Sequence, residues 1–445
     1  MQKQYGKYNF GIKMQMYPNH QQQSIMFDNI HTSRWIYNQL VANSFTDSKI
    51  NKLNLKYPIP AEYWQYNQKH KVIKKSKKRP MQLDRILQNK PAWFNQQQLL
   101  TDMFNNTLVN YKAAWNMFHK VHNAGTPKFK SRNKCSWSFT ISNHYAIKTL
   151  RQRQEQPNLY NGSIKFIDQH HLYLGRTLGT VKVKHGIKLP KQHNLRITNV
   201  TLRYLQDGSW FVSLLLKSNT PFKQPLPKTN RQIGIDLNLE NFLMDSNGFK
   251  VTNPHYYKKA KHRLKIESQR LNRKIVRAKK EGRNFRDSKR YQQQRKVLAH
   301  LHRKIKNQRN NFTHLLSTAL IKNHDLVVSE NLQSKNLLKN HALAQSITDV
   351  GWRSLITKLE YKAKLYNRVY IKVSPRYTTQ ICHKCGYRMG SDNRSFSLNL
   401  ADRHWWCPNC HRLHIRDWNA AKNILTKGLK YYNQQPLHVA NVYQQ

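Results

Sequence analysis

Two short cysteine motifs limit what this chain can fold into more than any other feature. They are CHKCG at 382–386 and CPNC at 407–410. Zinc prefers four soft ligands in a tetrahedron, and each CxxC motif presents two thiolates on one turn. The 21 residues from Gly386 to Trp406 have the usual length of a hairpin between two such turns. We therefore predict a zinc ribbon over 381–411, with one zinc ion bound by Cys382, Cys385, Cys407 and Cys410.

The other cysteine and the nearby histidines do not change this prediction. The fifth cysteine, Cys135, stands apart in the sequence, so the pattern is metal spacing and not a disulfide framework. Three histidines near the motifs could replace a cysteine ligand, although nothing requires them: His383, His404 and His411. A site closed by four protein ligands indicates a structural zinc and not a catalytic one.

The charge of the chain indicates its partners. Lysine and arginine total 78 against 21 aspartates and glutamates, a formal net charge of +57. Such an excess repels itself unless a polyanion neutralises it. A membrane is the other possible partner for this charge, but the sequence has no apolar run of about 18 residues and no signal peptide pattern. We expect a soluble, cytoplasmic nucleic-acid binder, associated with the nucleoid when on DNA, without membrane contact; other protein partners are unknown.

Much of this charge lies in one helical region, from Tyr257 to His324, which Gly282 interrupts. The pattern predicts two antiparallel helices with narrow apolar seams, formed by Leu264, Leu271, Leu298, Leu301 and Ile305. Their other faces are almost entirely Lys and Arg, whereas a helix face that only contacts water usually carries both acidic and basic side chains. We therefore predict contact with polyphosphate. A second basic run, Lys69–Arg79, is compatible with either a solvated loop or RNA contact.

The first half of the chain combines strands and helices. A strand is predicted near residue 10, and apolar spacing predicts helices near 25–41 and 100–118. Short alternating segments then follow up to a hairpin at Asp207-Gly208, a pattern typical of a small barrel. We predict an α+β multidomain protein with a β-barrel wedge domain (1–20 and 123–220). A helical recognition domain (21–122) is inserted in it, and a linker (221–230) follows.

Three acidic residues occur in segments of regular structure in the second half. Asp236 lies in the strand-like RQIGIDL, where aliphatics alternate with Gly234 and Asp236, and Asn247-Gly248 predicts a hairpin turn. Glu330 ends the apolar strand DLVVSEN, and Asp417 begins the helical RDWNAAKNIL. A buried acid needs a partner, and a divalent metal is one; an exposed Asp236 on a half-solvated strand is the alternative.

The order of these elements is that of an RNase H-like nuclease. Such a fold begins with three antiparallel strands, continues with a helix and a parallel strand, and brings acids together at one edge. Carboxylates suit Mg²⁺, and two such ions can activate water and stabilise the leaving oxygen of a phosphodiester. We predict a nuclease domain (231–380 and 412–432) in which Asp236, Glu330 and Asp417 hold two Mg²⁺, followed by a flexible tail (433–445).

The same segments carry a family resemblance. The chain resembles TnpB, the transposon-encoded, OrfB-type family of RNA-guided nucleases, and the related miniature type V CRISPR effectors. GIDLNLENF, VVSENL and RDWNAAKNI are similar to the three motifs of the family's RuvC site, which implies metal-ligand roles for Asp236, Glu330 and Asp417. SPRYTTQICHKCG resembles the entry into the family's zinc ribbon, and RWIYNQL and GTPKFKSR resemble N-terminal signatures. The resemblance extends over roughly 9–430.

The resemblance implies an RNA-guided DNA endonuclease of a transposable element. It would bind a guide RNA and cut double-stranded DNA next to a short target-adjacent motif. The chain departs from the family pattern at Asn238, where Gly is usual, at Asn331, where Asp is common, and at Ile415, where an acid is usual. Three alternatives stay open. They are a CRISPR effector, an inactive nucleic-acid-binding regulator of transposition, and a DDE-type transposase, whose acids usually follow another order. The guide RNA, the motif, the cut positions and the oligomeric state are not determined by the sequence.

Overall fold

The structure is a computed structural model that describes residues 8–44, 90–121, 124–131, 137–145, 158–184, 195–331, 351–393, 395–399 and 401–434. The chain forms two compact units, Met1–Phe222 and Lys223–Gln445, which divide within the predicted linker. The other predicted domain boundaries stay predictions. The basic run Lys69–Arg79, Cys135 and the tail from 435 on lie outside the described residues. No described helix is long and apolar enough to cross a membrane.

The first unit contains one antiparallel sheet of seven strands in the order β2-β6-β7-β1-β5-β4-β3. The strands are β1 (Tyr8–Tyr17), β2 (Trp137–Ser142), β3 (Lys165–Phe166), β4 (His171–Tyr173), β5 (Thr180–Val183), β6 (Arg196–Tyr204) and β7 (Trp210–Ser218). The predicted barrel is not seen as a closed barrel among the described residues. One backbone hydrogen bond, from Ser163 N–H to His144 O at 2.8 Å, joins the chain beyond β2 to the chain before β3.

Two helices pack on this sheet, as their apolar spacing predicts. They are α1 (His20–Ser44) and α2 (Thr101–Lys120), and a short 3-10 helix (Ala92–Gln96) precedes α2. Strand β7 alternates buried and half-buried residues along its whole length, so every second side chain enters the core. The hairpin predicted at Asp207-Gly208 connects β6 to β7, with Gly208 at a φ of 88°.

The second unit is built on a five-stranded sheet in the order β10-β9-β8-β11-β12. Its strands are β8 (Gln232–Asp236), β9 (Asn241–Asp245), β10 (Lys250–Thr252), β11 (Leu326–Glu330) and β12 (Val369–Val373). Strands β8, β9 and β10 are antiparallel, while β11 pairs in parallel with both β8 and β12. The three antiparallel strands followed by a parallel strand are therefore observed in the predicted order.

The basic region forms the predicted pair of helices, α3 (Tyr256–Lys280) and α4 (Lys289–Asn323). Gly282 lies between them in the left-handed region, at a φ of 64°. Leu264, Leu301 and Ile305 are buried in the seam between the helices, whereas Leu271 is only half-buried. The seam also contains a buried acid that the apolar pattern does not reveal. Glu267 accepts hydrogen bonds from Gln294 of α4 at 2.6 Å and from Arg270 at 2.9 Å.

The sheet of the second unit carries helices on both faces. Helix α4 and helix α5 (Trp352–Tyr366) pack on the face that contains Ile233, Ile235 and Val327. Helix α6 (Arg416–Gln434) packs on the opposite face, against Val328 and Ile371 through Ile424. This division follows from strand periodicity, because alternate residues of β8 and β11 point to opposite faces.

Two glycines allow α6 to approach the sheet closely. A Cβ atom added to Gly234 of β8 would collide with the backbone of α6 at Ala421 and Leu425. A Cβ added to Gly428 of α6 would collide with the side chain of Val328 on β11. Neither glycine is needed for its φ angle; each is needed for the space that its missing side chain leaves.

We expect Gly234→Ala to destabilise the second unit by about 3 kcal/mol, because overpacking against backbone atoms cannot be relieved by a side-chain rotation. The matched control is Gly11→Ala in β1, where an added Cβ meets no heavy atom within 4 Å. Urea denaturation measures the effect: for Gly234→Ala the transition of the second unit is compared with wild type, and for Gly11→Ala that of the first unit. Equal midpoints for Gly234→Ala and wild type would show that α6 does not pack this closely.

Candidate functional site

The three predicted acids lie at one edge of the second unit's sheet. Asp236 is the last residue of β8 and Glu330 the last residue of β11. Ser329 pairs with Ile235 in the parallel register, so the next residues along, Glu330 and Asp236, end neighbouring strands side by side. Asp417 lies in the first turn of α6. Asp236 belongs to the predicted strand, at its last position.

Burial of these carboxylates is unfavourable without a cation. Asp236 and Glu330 are each 7% exposed. Burial raises the pKa of Asp236 well above its usual value, and the charges of Glu330 and Asp417 raise it further. Burial also raises the pKa of Glu330 and of Asp417. Because the charges of Glu330 and Asp417 both raise the pKa of Asp236, the three carboxylates lie close enough to influence one another.

Neighbouring groups compensate part of this cost. The Thr378 hydroxyl donates a hydrogen bond of 2.5 Å to Glu330 Oε1, and the charge of Lys427 also favours the ionised form of Glu330. Arg403 Nη1 lies 3.8 Å from Asp417 Oδ1. These contacts favour ionised carboxylates, which is the form that a metal requires.

The donor set fits Mg²⁺, which binds carboxylate oxygens and keeps several waters. Asp236, Glu330 and Asp417 would hold it. Their oxygen atoms do not form a closed cage: in the part of the chain that the structure describes, only the cysteines bring three or more potential ligand atoms within 4.8 Å of one another. An open set of carboxylates leaves room for water and for a substrate oxygen.

Asn238, one of the departures from the family pattern, lies next to this site. Its Oδ1 accepts the backbone N–H of Asn241 at 2.7 Å, and its buried Nδ2 has no hydrogen-bond partner among the described residues. Asn331 keeps the sheet regular, since its N–H bonds to Val373 O at 2.8 Å. Ile415, two residues before Asp417, is 40% exposed.

The four predicted zinc ligands form a compact cluster. Cys382 Sγ lies 3.6 Å from Cys410 Sγ, and Cys385 Sγ lies 3.5 Å from Cys407 Sγ. Four thiolates at a Zn–S distance of about 2.3 Å would be about 3.8 Å apart, so the cluster fits one zinc ion. Burial raises the pKa of the Cys382 thiol to about 12, which means that binding a metal there releases a proton.

The surroundings of the cluster differ from the prediction in two respects. The paired strands β13 (His404–Trp406) and β14 (Leu413–Ile415) flank the second motif. No long hairpin joins the two motifs among the described residues. The histidine nearest the sulfurs is His414, with Nε2 3.0 Å from Cys382 Sγ, and not one of the three histidines named from the sequence. It lies opposite Trp405 in the paired strands, a register that only the tertiary structure shows.

Side-chain amides connect the cysteine cluster to α6. Asn419 Oδ1 accepts the N–H of His383 at 3.0 Å, and Asn419 Nδ2 donates to Ile381 O at 2.8 Å. One turn later, Asn423 Nδ2 donates to Thr378 O at 2.9 Å and to Ile381 O at 2.6 Å. The helix that carries Asp417 is therefore attached to the first cysteine motif, and Thr378 connects the same segment to Glu330.

Comparisons with known proteins match the regions that contain these residues. Residues 213–341 match a family model described as "Probable transposase" (OrfB_IS605). Residues 352–424 match one described as "Cas12f1-like, TNB domain". The first region includes Asp236 and Glu330, and the second includes Asp417 and the four cysteines.

Two relatives are named for the same activity. A protein of Streptomyces pristinaespiralis named "Putative RNA-guided DNA endonuclease" is 33% identical over 259 residues, which are 58% of this chain and 59% of that protein. "Putative RNA-guided DNA endonuclease InsQ" of Escherichia coli (strain K12) is 26% identical over 247 residues, 52% of this chain and 57% of that protein. The match thus spans somewhat more than half the length of each relative.

A solved structure described as "Cryo-EM structure of the Cas12f1-sgRNA-target DNA complex" aligns with 94% of this chain and 98% of its own at 14% identity. The TM-score of 0.44 is too low to establish a common fold.

We expect one zinc ion per chain, measured by metal analysis of the purified protein. Cys385→Ser should lose most of it and destabilise the second unit, because structural zinc supplies folding free energy on the order of 10 kcal/mol. The matched control is Cys135→Ser, which should retain the zinc. A wild-type protein without zinc near one equivalent would contradict the site.

We also expect Asp236→Asn to stabilise the chain in magnesium-free buffer. The folded chain holds the Asp236 proton more tightly than the unfolded chain, since its pKa is raised. Stability therefore falls as the pH rises above the usual carboxylate value. The variant should melt about 3 °C above wild type near pH 8, and this difference should vanish near pH 4.

Magnesium provides the control for this measurement. Added Mg²⁺ should raise the melting temperature of wild type and have little effect on Asp236→Asn, because ligands that bind the folded state stabilise it. A difference in melting temperature that does not change with pH would show that Asp236 is not buried among like charges.

Proposed function

We propose that this chain, which resembles the TnpB family of transposon-encoded nucleases, is an RNA-guided DNA endonuclease that hydrolyses phosphodiester bonds next to a short target-adjacent motif. The observation that carries the proposal is the arrangement of Asp236, Glu330 and Asp417. Two of them end adjacent parallel strands, and the third begins the helix that crosses the same sheet. Each acid lies in a segment that is similar to a motif of the family.

The strand order supports an RNase H-like, RuvC-type domain. The sheet order β10-β9-β8-β11-β12 consists of three antiparallel strands extended by two parallel ones. We assign 231–380 and 412–432 to this domain, with the zinc ribbon at 381–411 inserted before its last helix. The first unit would supply the wedge (1–20 and 123–220) and the recognition domain (21–122).

The acids would hold two Mg²⁺ ions, which supply activation of water and charge stabilisation at the leaving oxygen when bound. The residues of the chain then have distinct parts. Thr378 orients Glu330 through its hydrogen bond, and the charge of Arg403 favours the ionised form of Asp417 against the effect of burial. Burial of the acids limits competing water and strengthens their attraction for a cation.

Guide RNA and target DNA would be the polyanions that neutralise the chain. The pair α3 and α4, with the turn between them, has only three acidic residues, which leaves most of its basic side chains without an acidic partner. Glu267 is buried, Glu281 is bonded to Arg277 and Arg283, and Asp287 lies in the turn. In RNA-guided effectors base pairing supplies the sequence specificity, while the protein holds the backbone of the heteroduplex.

The test uses protein purified with its bound RNA, which is sequenced and used to design a matched DNA duplex. Wild type should cut this duplex with Mg²⁺, whereas Asp236→Ala should bind RNA and DNA but not cut. Loss of several kcal/mol of transition-state stabilisation reduces the rate by at least about a thousandfold. Ca²⁺ should support binding without cutting, because its longer ligand distances misplace the water.

The matched control is Glu360→Gln, which removes a carboxylate that pairs with Lys372 on the surface. It should cut as wild type does. Equal cutting by wild type and Asp236→Ala would place the active site elsewhere. Absence of cutting by either protein with its own bound RNA would favour an inactive nucleic-acid-binding regulator.

A miniature type V CRISPR effector is the second candidate, because residues 352–424 match the Cas12f1-like model. Its chemistry would be the same. The neighbouring genome distinguishes the two, since an effector accompanies a CRISPR array and a TnpB-type protein accompanies transposon ends.

A further inference from the structure

A basic cavity lies between α4 and α5, apart from the carboxylates. It has a volume of about 500 Å³. Among the residues that the structure describes, its lining consists of His314, Arg353, Ser354, Thr357, Lys358 and Tyr361. This set contains two cationic groups, a histidine and three hydroxyls, and it contains no acid. Thr357 donates to Arg353 O at 2.9 Å, and the Tyr361 hydroxyl lies 3.4 Å from His314 Nδ1, so the donors left for an anion are those of Arg353, Ser354 and Lys358.

Two lysines of α5 are buried beside this cavity, each 6% exposed. Lys362 is fully satisfied by α4: its Nζ donates to His314 O at 2.7 Å, Ser317 Oγ at 2.8 Å and Thr318 Oγ1 at 2.6 Å. Lys358 donates only to Ser354, with Nζ 2.6 Å from Oγ and 3.4 Å from O. Lys362 therefore fastens the two helices together, and Lys358 keeps bonding capacity toward the cavity.

No carboxylate compensates these charges within the described residues. Neither lysine forms an ion pair there, and neither does Arg353 at the mouth of the cavity. The pKa of Lys362 is lowered to about 8 by burial and by Lys358. The pKa of His314 is lowered to about 4 by burial and by both lysines. The site thus carries an uncompensated positive potential that disfavours further protonation.

We propose that this cavity binds a phosphate-type oxyanion, supplied by the backbone of a nucleic acid. Arg353 would contact the anion from the mouth and Lys358 from the inside, while Ser354 offers a hydroxyl donor on the same helix face. The Thr357 hydroxyl borders the site but already donates to Arg353 O at 2.9 Å. Charge-assisted hydrogen bonds from arginine and lysine to phosphate are among the strongest that proteins make. An anion there supplies the missing partner of a buried ammonium group.

The position in the fold indicates a backbone phosphate rather than an isolated ion. Helix α4, which contributes His314 to the cavity, is the second of the two basic helices. Helix α5 starts on the side where β11 ends at Glu330, because it returns the chain to the parallel strand β12. A strand held in the cavity therefore lies toward the edge of the sheet that carries the acids.

The test is protection of an introduced thiol from alkylation, located by mass spectrometry in magnesium-free buffer. Thr357→Cys places the thiol in the lining, and Lys364→Cys places one on the same helix outside it. A short single-stranded DNA should slow alkylation at 357 several-fold and leave 364 unchanged. Adding Arg353→Gln should raise the DNA concentration needed for half-protection about tenfold, since one charged hydrogen bond is lost.

Inorganic phosphate is the second arm. Protection at 357 by DNA and also by phosphate would support the site and add a free anion as a second occupant. Protection by phosphate but not by DNA would overturn the assignment to a nucleic-acid backbone. Protection by neither probe, or equal protection at 357 and 364, would overturn the proposal. The assay needs no cleavage, so its outcome is independent of whether Asp236, Glu330 and Asp417 form a nuclease site.

Discussion

The close packing of α6 on the sheet is the contact on which the second unit depends. Gly234 and Gly428 leave the space for it, and Ala420 and Ala421, both fully buried, present a smooth helix surface. This packing brings Asp417 to the edge where β8 and β11 end. The same helix attaches to the cysteine cluster through Asn419 and Asn423. One helix thus joins the acidic edge, the sheet and the ribbon, so a change in any of them affects the other two.

The electrostatic design separates two tasks. The exterior is strongly basic and suits a polyanion, whereas the edge of the sheet concentrates buried carboxylates that suit a small cation. Arginine and lysine side chains near the acids, Arg403 and Lys427, lower the cost of ionisation without filling the edge. Basic and acidic groups are therefore segregated, which is the charge distribution that the proposed function requires.

The cavity between α4 and α5 is a basic counterpart of the acidic edge, because its buried lysines have no carboxylate partner among the described residues. A lysine satisfied entirely by neutral oxygens, as Lys362 is, stabilises a helix contact. A buried lysine with one neutral neighbour, as Lys358 is, favours an added anion. The difference between these two residues, one turn apart on α5, separates a structural lysine from a binding one.

Local patterns were sufficient to predict the clustering of the four cysteines, the strand and helix positions of the three acids, the paired basic helices and the strand order, because each depends on spacing along the chain. Alternation placed Ile233 and Ile235 opposite Gly234 and Asp236, and the CxxC spacing placed four sulfurs together. Tertiary structure decided the rest, because contacts between distant segments leave no periodic trace. It showed His414 beside Cys382, Thr378 on Glu330 and the buried Glu267, none of which spacing could reveal. It also showed a sheet in place of a closed barrel among the described strands, since closure depends on how the edge strands meet and not on their alternation.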